Sequence, residues 1–501
     1  MAALGTSGVL SSWRHTVQAA RNGTIRYQFM GFFISLLYIA LAILSPGEAL
    51  PALAPFRIQL WLALAAILAS FPAVLEARAF FVAQAGFLLA VILGLIASFM
   101  WIGWFGGILP ALAEFIPSAI VFYLVVANFR AITRLRLLVS VLLLISLYLV
   151  IWGSIAYLRG DPNDPMILAQ WNDDNTVWFP RMRAFGFLND PNDLAQFLIT
   201  VGPLLWLGWQ AGRFLTNAWR VLLPAAALLL GVFLTHSRGG IVALTAVLLF
   251  AFKDKIGRTR AAFLAVLAFV AMNVFNFSGG RDVSMGAGTD RIDAWSQGLE
   301  MLRSSPAFGV GYHQFVEHAG MEAHNTFLHC AAELGLFGYY FWLALIVFSL
   351  SDLGTIASNN LEPQPDQSSD SSSDPLVNRP TSLSHFAITE YEPSVATLAV
   401  AAEEQEELPK EPETRETLRK WATLLRISFV GYLTAAFFLS RAYTITLFLL
   451  LGMATVLRLV AISEGCFVPT FPSRRLYRLT AQLSLASLAF VYVIVRIRWL
   501  R

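Results

Sequence analysis

The sequence predicts an all-α, polytopic integral membrane protein with about twelve transmembrane helices. Of its 501 residues, 57% are hydrophobic and only 13% are charged, whereas a soluble domain carries about a quarter charged residues. The apolar residues form unbroken runs of about 20 residues, the length that a helix needs to cross hydrocarbon with its backbone groups bonded internally. The basic residues lie between these runs, which is typical of membrane topology and not of nucleic-acid binding.

The apolar runs define the predicted helices in chain order. Five precede the first long polar stretch, at residues 29–44, 58–75, 80–101, 108–126 and 137–157. Four follow it, at residues 194–209, 221–234, 241–252 and 261–275. After a second polar stretch come runs at residues 327–350, 424–439, 444–459 and 479–495.

Basic residues in short loops orient the predicted helices. They form three clusters: Arg130, Arg134 and Arg136; Arg213 and Arg220; and Lys253, Lys255, Arg258 and Arg260. With the N-terminus inside, all three clusters lie on one side, which the positive-inside rule makes cytoplasmic. The polar loops 159–192 and 278–324 then both face the outer side of the membrane.

The last apolar run conflicts with this orientation. If residues 479–495 span the membrane, Arg496, Arg498 and Arg501 lie outside, against the positive-inside rule. Either the run lies tilted along the inner interface, or the number of spans differs by one.

A hydrophilic segment at residues 351–420 separates the predicted membrane helices of 1–350 from those of 421–501. It holds a serine- and aspartate-rich run at 368–374 and an acidic cluster at 403–407. This composition buries too little apolar area to offset its ordering entropy. We therefore predict a disordered acidic cytoplasmic insertion; a tether that would make the protein a scaffold is the alternative.

The first candidate constellation lies at residues 181–195. Asp190 is predicted as a helix N-cap, with Pro191 as the first helical residue and Asp193 as a capping carboxylate. Helix capping does not explain Arg181 and Arg183, whose planar guanidinium groups suit phosphate oxygens. Snorkelling to lipid headgroups is the alternative for either arginine.

The second constellation is the turn at residues 235–240, between two apolar runs. An arginine at membrane depth is costly unless it lines a cavity, so Arg238 is a candidate site residue. The helix that starts at Gly239 and Gly240 adds free backbone N–H groups, which attract anions. A plain outer turn is the alternative, but such a turn does not require an arginine.

The third constellation contains Arg291, the Gly309-Val310-Gly311 segment and His324. Near-neutral imidazole can take a proton from a hydroxyl, which makes His324 the candidate base, with Asn325 able to cap the helix that follows. His313, His318 and His329 are rivals. The four histidines lack a compact ligand pattern with carboxylates, so no metal site is predicted.

In succession, these motifs resemble those of the O-antigen ligase and polymerase superfamily, which includes bacterial O-linked oligosaccharyltransferases. The resemblance rests on the R-x-x-G-x-x-N-x-x-N-x-L-A run at 183–195, the Ser-Arg-Gly turn at 237–239, and the 291–295 segment followed by Gly309-x-Gly311. It continues through His324-Asn325, Glu333-x-Gly335 and the Ser-Arg-Ala-Tyr segment at 440–443.

The resemblance implies a glycosyltransferase that uses an undecaprenyl-diphosphate-linked glycan donor at the periplasmic face, with no metal or other cofactor. Arg183 and Arg238 would bind the departing diphosphate, and His324 would activate the acceptor hydroxyl for single-displacement transfer with inversion. The implied substrate-binding residues are Arg291, Arg181, Asn325 and Tyr443.

The acceptor stays open between a lipid core, a growing glycan and a protein, which correspond to a ligase, a polymerase and an oligosaccharyltransferase. Membrane lipids are expected partners and nucleic acid is not. A polysaccharide transporter or flippase is the alternative from another class. Such folds usually carry inverted repeats and a charged site near the bilayer midplane, whereas here the candidate residues gather towards the outer surface.

Overall fold

The computed structural model describes residues 29–76, 82–171, 177–257, 259–260, 263–264, 267, 285–358, 411–465 and 473–498. The predicted span at 261–275 therefore lies mostly outside the described residues. Most of the predicted insertion at 351–420 also lies outside them, as does Arg501.

The described part of the chain is built from apolar helices. In chain order its principal helices are α1 (Phe29–Leu44), α2 (Ile58–Glu76), α3 (Ala83–Trp101), α4 (Ile108–Asn128), α5 (Ile132–Arg159), α6 (Pro191–Val201), α7 (Leu223–Leu234), α8 (Arg238–Ile256), α9 (Met285–Ser304), α10 (Thr326–Ala357), α11 (Glu411–Ala436), α12 (Ile445–Ser463) and α13 (Arg474–Arg498). Shorter helical turns lie at Pro46–Ala49, Pro51–Phe56, Phe105–Gly107, Gly186–Leu188, Gly202–Gly208, Phe214–Asn217, Ala218–Leu222 and Phe315–Ala319. Strands β1 (Ile167–Trp171) and β2 (Trp178–Met182) pair antiparallel, with Ile167 opposite Met182.

Eight helical segments of the described chain are long and apolar enough to cross a membrane: Ile58–Leu75, Ala83–Trp101, Phe105–Asn128, Ile132–Arg159, Phe214–Leu234, Thr326–Ala357, Ile445–Ser463 and Arg474–Ile497. Three further predicted spans correspond to α6 with its 3-10 extension, α8 and α11, which pack together in the same bundle. The shorter helix α1 packs its Phe32 ring against Phe129, 5.0 Å away. The structure thus confirms the all-α, polytopic prediction.

The antiparallel helices sort the connecting segments to two ends of the bundle. At one end, which we call the basic end, Lys420 of α11 lies 3.4 Å from the carbonyl of Leu207 and 3.3 Å from that of Trp209. The charge of Arg136, in the first turns of α5, acts on the same ammonium group. The loop before α5 and the segment that follows α6, which the sequence predicted on the cytoplasmic side, therefore lie at the same end of the bundle. The β-hairpin and the starts of α6, α8 and α10 lie at the opposite end, the site end.

Helix α10 is broken at Gly335, which has φ 64° and ψ −173°. The segment at 306–311 lies in the break and bonds the interrupted backbone on both sides. Val310 and Gly311 donate their N–H groups to the carbonyls of Ala332 and Glu333, at 3.0 Å each. Leu336 and Phe337 donate to the carbonyls of Pro306 and Ala307, at 2.8 and 3.1 Å. Because lipid offers no hydrogen bonds, irregular backbone in a membrane helix needs such protein partners.

The break explains two glycine motifs of the sequence. A Cβ on Gly335 would lie 2.4 Å from the backbone of Ala307, and one on Gly309 would lie 2.3 Å from the carbonyl oxygen of Glu333. Both glycines also have positive φ, which disfavours any side chain. The Gly309-x-Gly311 and Glu333-x-Gly335 patterns are therefore a backbone interlock.

Helix α13 runs antiparallel to α10. Its Tyr477 ring packs 5.1 Å from Phe348, deep in α10, whereas Ser487 lies further towards the start of α10, with its hydroxyl 2.5 Å from that of Tyr339. The basic C-terminal turn with Arg496 and Arg498 therefore lies towards the site end. Helix α13 has the length and composition of a membrane span. Arg496 and Arg498 in its C-terminal turn therefore lie on the side where the positive-inside rule disfavours basic residues.

Polar side chains join the helices at the basic end. Asn128 of α4 donates to the hydroxyls of Ser70 in α2 and Ser35 in α1, at 2.8 and 3.1 Å. Such interhelical hydrogen bonds fix helix register where apolar contacts alone discriminate weakly.

Candidate active site

His324 lies at the site end, directly before α10, and its backbone has φ 48°, a left-handed value uncommon for a residue with a side chain. Neighbours on both sides hold it there. The Trp295 indole of α9 donates to the Ala323 carbonyl at 2.8 Å. Asn325 caps α10 by accepting from the Leu328 N–H at 3.0 Å, which confirms its predicted capping contact. Backbone strain of this kind persists only where the surroundings impose it, and it concentrates at functional sites.

The segment between α11 and α12 clamps the same loop. The His324 N–H donates to the Ser440 hydroxyl at 2.7 Å. The Thr326 hydroxyl donates to the Leu439 carbonyl at 2.6 Å and accepts from the Arg441 N–H at 3.1 Å. These bonds join positions more than a hundred residues apart, so the orientation of His324 depends on α11 and α12 as well as on α10.

The Arg441 guanidinium forms an ion pair with Asp193, with Nε 2.8 Å from Oδ2. Asp193 lies in the first turn of α6 and is 3% exposed, whereas the Arg441 side chain is 38% exposed. Burial raises the pKa of Asp193 to about 7, and the charge of Arg441 opposes that rise. The carboxylate therefore depends on Arg441, since an unpaired buried carboxylate takes up a proton.

Arg291, whose charge acts on His324, forms a second cationic group with Arg238. Arg238 is the first residue of α8, whose N-cap Ser237 accepts from the Gly240 N–H at 3.0 Å. Burial lowers the pKa of Arg291, and the nearby charge of Arg238 lowers it further. Guanidinium stays protonated despite such shifts. Two like charges beside a helix N-terminus therefore form a strongly anion-attracting place.

The surroundings of His324 favour its neutral imidazole. Burial lowers its pKa below 6.5, and the charge of Arg291 lowers it further; Glu322 and Asp190 oppose this, and Arg441 adds to the lowering. Neutral imidazole is the form that can accept a proton from a hydroxyl. Of the predicted site residues, Arg291 is the one whose charge acts on His324 among the described groups.

The two arginines of the β-hairpin have separate contacts. Arg181 is buried, and it donates to the Thr235 carbonyl at 3.1 Å and to the Asn192 side chain at 3.3 Å. It thereby ties the hairpin to the α7–α8 turn and to the start of α6. The Arg183 Nε instead donates to the Pro165 carbonyl within the hairpin, at 3.1 Å. These contacts bring Arg181 to the Arg238 turn and hold the Arg183 side chain at the base of the hairpin.

Tyr443 lies beneath the site in an aromatic cluster. Its ring centroid is 5.1 Å from that of Tyr312 and 5.7 Å from that of Phe115, and the side chain is buried. Contacts of this kind support the loop above them. Direct substrate contact by Tyr443 stays a prediction.

The rival histidines have other surroundings. His313 pairs with Glu114, with Nδ1 3.4 Å from Oε1. His318 bonds its own helix, at 2.8 Å from the Gln314 carbonyl. His329 is buried 3.2 Å from Glu333, one turn along α10. Of the four, His324 is the one whose surroundings combine Arg291, Arg441 and two carboxylates.

Sequence reasoning missed three charged members of this site: Asp193, Glu322 and Arg441. Asp193 was interpreted as a capping residue, and Arg441 was noted only as part of a motif. An arginine between two apolar runs was the available signal for Arg441, by the same argument that singled out Arg238. The sequence carried no signal for the pairing of Arg441 with Asp193.

Comparison with known proteins gives two findings. The family model described as O-antigen ligase (Wzy_C) matches residues 223–343. The exopolysaccharide production protein ExoQ of Rhizobium meliloti (strain 1021) is 28% identical over 130 residues, which is 20% of this chain and 30% of that protein. The chain thus spans less than a third of that relative.

The matched segment runs from α7 through Arg238, Arg291 and His324 into α10, and so includes most of the cationic site. The β-hairpin, α6 and the 439–441 segment lie outside it. Residues 223–343 of this polytopic membrane protein are therefore similar to the O-antigen ligase family, and part of the chain is similar to a protein of exopolysaccharide production.

Proposed function

We propose that this protein transfers a glycan from a lipid-diphosphate-linked donor to an acceptor hydroxyl, at the periplasmic face of a bacterial inner membrane. The donor is expected to be undecaprenyl-diphosphate-linked. One observation carries the proposal. At the site end, His324 has a positive φ and lies close to Arg291, which in turn lies close to Arg238 at the N-terminus of α8.

The residues divide the reaction between them. His324 accepts the proton of the acceptor hydroxyl as its oxygen attacks the anomeric carbon of the donor glycan. The bond from that carbon to the diphosphate oxygen breaks, and the diphosphate leaves with the bonding electron pair. Attack opposite the leaving group inverts the anomeric centre, and no metal or other cofactor is required.

Arg238 and Arg291 stabilise the departing diphosphate. Fixed cations act where negative charge develops, and they need no reorganisation during the step. The N-terminal N–H groups of α8 add to the attraction. We assign the diphosphate to Arg238 with Arg291, and we place Arg183 at the edge of the site because its described contact is within the hairpin. Arg181 acts by holding the Arg238 turn.

The test is reconstitution of the purified chain with a defined lipid-diphosphate glycan and candidate acceptors. His324→Ala should lower kcat by about a hundredfold or more. Arg238→Ala and Arg291→Ala should each raise the donor KM by about tenfold or more, the effect of a lost charged hydrogen bond. Arg303→Ala is the control, because that side chain is 82% exposed on α9.

Full transfer by His324→Ala would contradict the role of the base. Unchanged donor dependence in both arginine variants would contradict the diphosphate assignment. Activity should persist in chelator, and a strict requirement for divalent ions would contradict the mechanism. Solute uptake into vesicles without any glycan transfer would support a transporter instead.

The similarity to a protein named for exopolysaccharide production favours a second candidate, a polymerase that extends a glycan with its own repeats. Glycan products of a deletion strain separate the two. Single repeats would indicate a polymerase, whereas long chains without their final attachment would indicate a ligase. Glycan missing only from proteins would indicate an oligosaccharyltransferase.

A further inference from the structure

The charged groups near His324 fall into two sets. Arg238 and Arg291 lie close to each other and are both positive. Arg441 forms the other set with the carboxyl groups of Asp190, Asp193 and Glu322, whose charges all act on it. The first set suits an anion. The second set mixes charged donors with charged acceptors and therefore suits a different ligand.

Arg441 is held so that part of its guanidinium stays available. Its Nε is engaged by Asp193 at 2.8 Å, and its N–H and carbonyl groups are bonded by Thr326 and Tyr432. Within the described ranges, its two terminal nitrogens have no hydrogen-bond partner, although the side chain is only 38% exposed. A guanidinium fixed through Nε keeps its terminal N–H groups in one plane, ready to donate to a ligand.

Two carboxylate oxygens nearby lack donors. Neither Oδ1 of Asp193 nor Oε2 of Glu322 has a hydrogen-bond partner among the described residues, and both atoms are buried. Asp193 is 3% exposed, so its unpaired oxygen is costly to leave without a donor. Glu322 lies two residues before His324, which places its carboxylate beside the base.

These groups are complementary to a ligand that both donates and accepts hydrogen bonds. A sugar hydroxyl does both, so adjacent hydroxyls can donate to carboxylates and accept from a guanidinium. A carboxylate ligand has no proton to donate at neutral pH, and the negative charge of a carboxylate or phosphate ligand would be repelled by Asp190 and Glu322.

We propose that Asp190, Glu322 and Arg441 form the acceptor subsite, and that it binds an uncharged sugar through its hydroxyl groups. The inference rests on the proposed function and adds the class of acceptor to it. Asp193 is a positioning residue that holds Arg441. Displacement with inversion then requires the acceptor hydroxyl to reach the anomeric carbon from the side opposite the diphosphate that Arg238 and Arg291 bind.

The experiment compares two acceptors with the reconstituted full chain and one lipid-diphosphate donor. One is a short neutral oligosaccharide of the donor's own sugars; the other is the same oligosaccharide with one phosphate monoester. The wild-type chain should use the neutral acceptor with the lower KM. Arg441→Gln should raise the KM for the neutral acceptor by about tenfold, the effect of a lost charged hydrogen bond, and leave the donor KM unchanged.

Glu322→Gln gives an independent test, because it keeps the shape and removes one negative charge. Glu322→Gln should lower the ratio of kcat/KM for the neutral acceptor to kcat/KM for the phosphorylated acceptor. The matched controls are Arg303→Gln and Glu300→Gln, which alter an exposed ion pair on α9. Neither control should change the KM for the neutral acceptor or the KM for the phosphorylated acceptor.

The outcomes separate the subsite from the function. A rise in donor KM without a rise in acceptor KM for Arg441→Gln would overturn the subsite. A wild-type preference for the phosphorylated acceptor would overturn it as well. If Arg441 is only a structural clamp, Arg441→Gln will lower thermal stability and kcat and leave the acceptor KM unchanged. Failure of the wild-type chain to use any lipid-diphosphate donor would instead contradict the proposed function.

Discussion

At the scale of single residues, His324 is distinguished by its neighbours. The chain contains seven histidines, and residue type alone does not rank them; positive φ does not either, because His236 and His313 share it. The left-handed backbone at His324 is held by Ser440 and by the Trp295 contact to Ala323. A residue held in a sparsely populated conformation from two separate parts of the chain has little freedom to turn away from its neighbours.

The arginine beside His324 sets the acid side of the pH profile. Because the charge of Arg291 lowers the pKa of His324, Arg291→Gln should raise that pKa. More of the imidazole is then protonated at a given pH, so the acid limb of kcat/KM shifts to higher pH. Steady-state rates between pH 5 and 8, with saturating donor, would measure the shift. An acid limb that moved to lower pH would contradict this placement of Arg291.

Glu322 shifts the pKa of His324 in the direction opposite to Arg291. Its charge raises the pKa of His324, so Glu322→Gln should lower the pKa further and move the acid limb of kcat/KM to lower pH. Glu300→Gln, on the exposed face of α9, should leave the limb in place. Equal shifts for both glutamate variants would show that the effect is not local to His324.

The arginines were partly predictable from sequence. Arg238 was found because charge beside apolar runs is costly and demands an explanation, whereas the role of Arg291 came from the resemblance. Arg183 was placed in the same group by resemblance, but its described contact is with Pro165 in the hairpin. The Arg441–Asp193 pair joins positions 248 apart, and no local pattern carries such a contact.

At the scale of elements, the break in α10 determines how the site end is built. Without the positive φ of Gly335, the chain would continue as a regular helix, and the 306–311 segment would lose its bonding partners. The same break places Glu333 and His329 in the short helical piece below His324.

Gly335→Ala should therefore destabilise the protein by about 2 kcal/mol or more, because the added methyl group meets the Ala307 backbone and the residue must keep a left-handed φ. Gly354→Ala in the same helix is the matched control, since its Cβ would meet nothing within 4 Å. Thermal unfolding of the two purified variants in detergent gives the comparison. Equal stability of the two variants would mean that the interlock does not contribute.

At the scale of the whole molecule, the proposal predicts how the chain is oriented in the membrane. The basic end, with Lys420 and Arg136, should face the cytoplasm, and the site end should face the periplasm. Arg496 and Arg498 lie towards the site end and oppose this assignment. The basic residues in the loops of the basic end outnumber these two arginines, so we expect the loop charges to determine the orientation.

Single cysteines would measure the orientation. In a cysteine-free background, Glu317→Cys should react with a membrane-impermeant thiol reagent in intact cells, whereas Arg213→Cys should react only after the membrane is opened. Both positions are exposed. Labelling of Arg213→Cys alone in intact cells would reverse the assignment and place the active site in the cytoplasm.

The sequence by itself determined the fold class, the main helices and the candidates His324, Arg238 and Arg291. The helices follow from hydrophobic run length, Arg238 from the cost of charge near lipid and His324 from the chemistry of imidazole, all of which are local. The role of Arg291 follows from the resemblance of short motifs. The tertiary structure decided which candidates meet, how α10 is broken, and that Arg441 pairs with Asp193. Those features depend on contacts between distant parts of the chain, and packing, not local composition, selects such contacts.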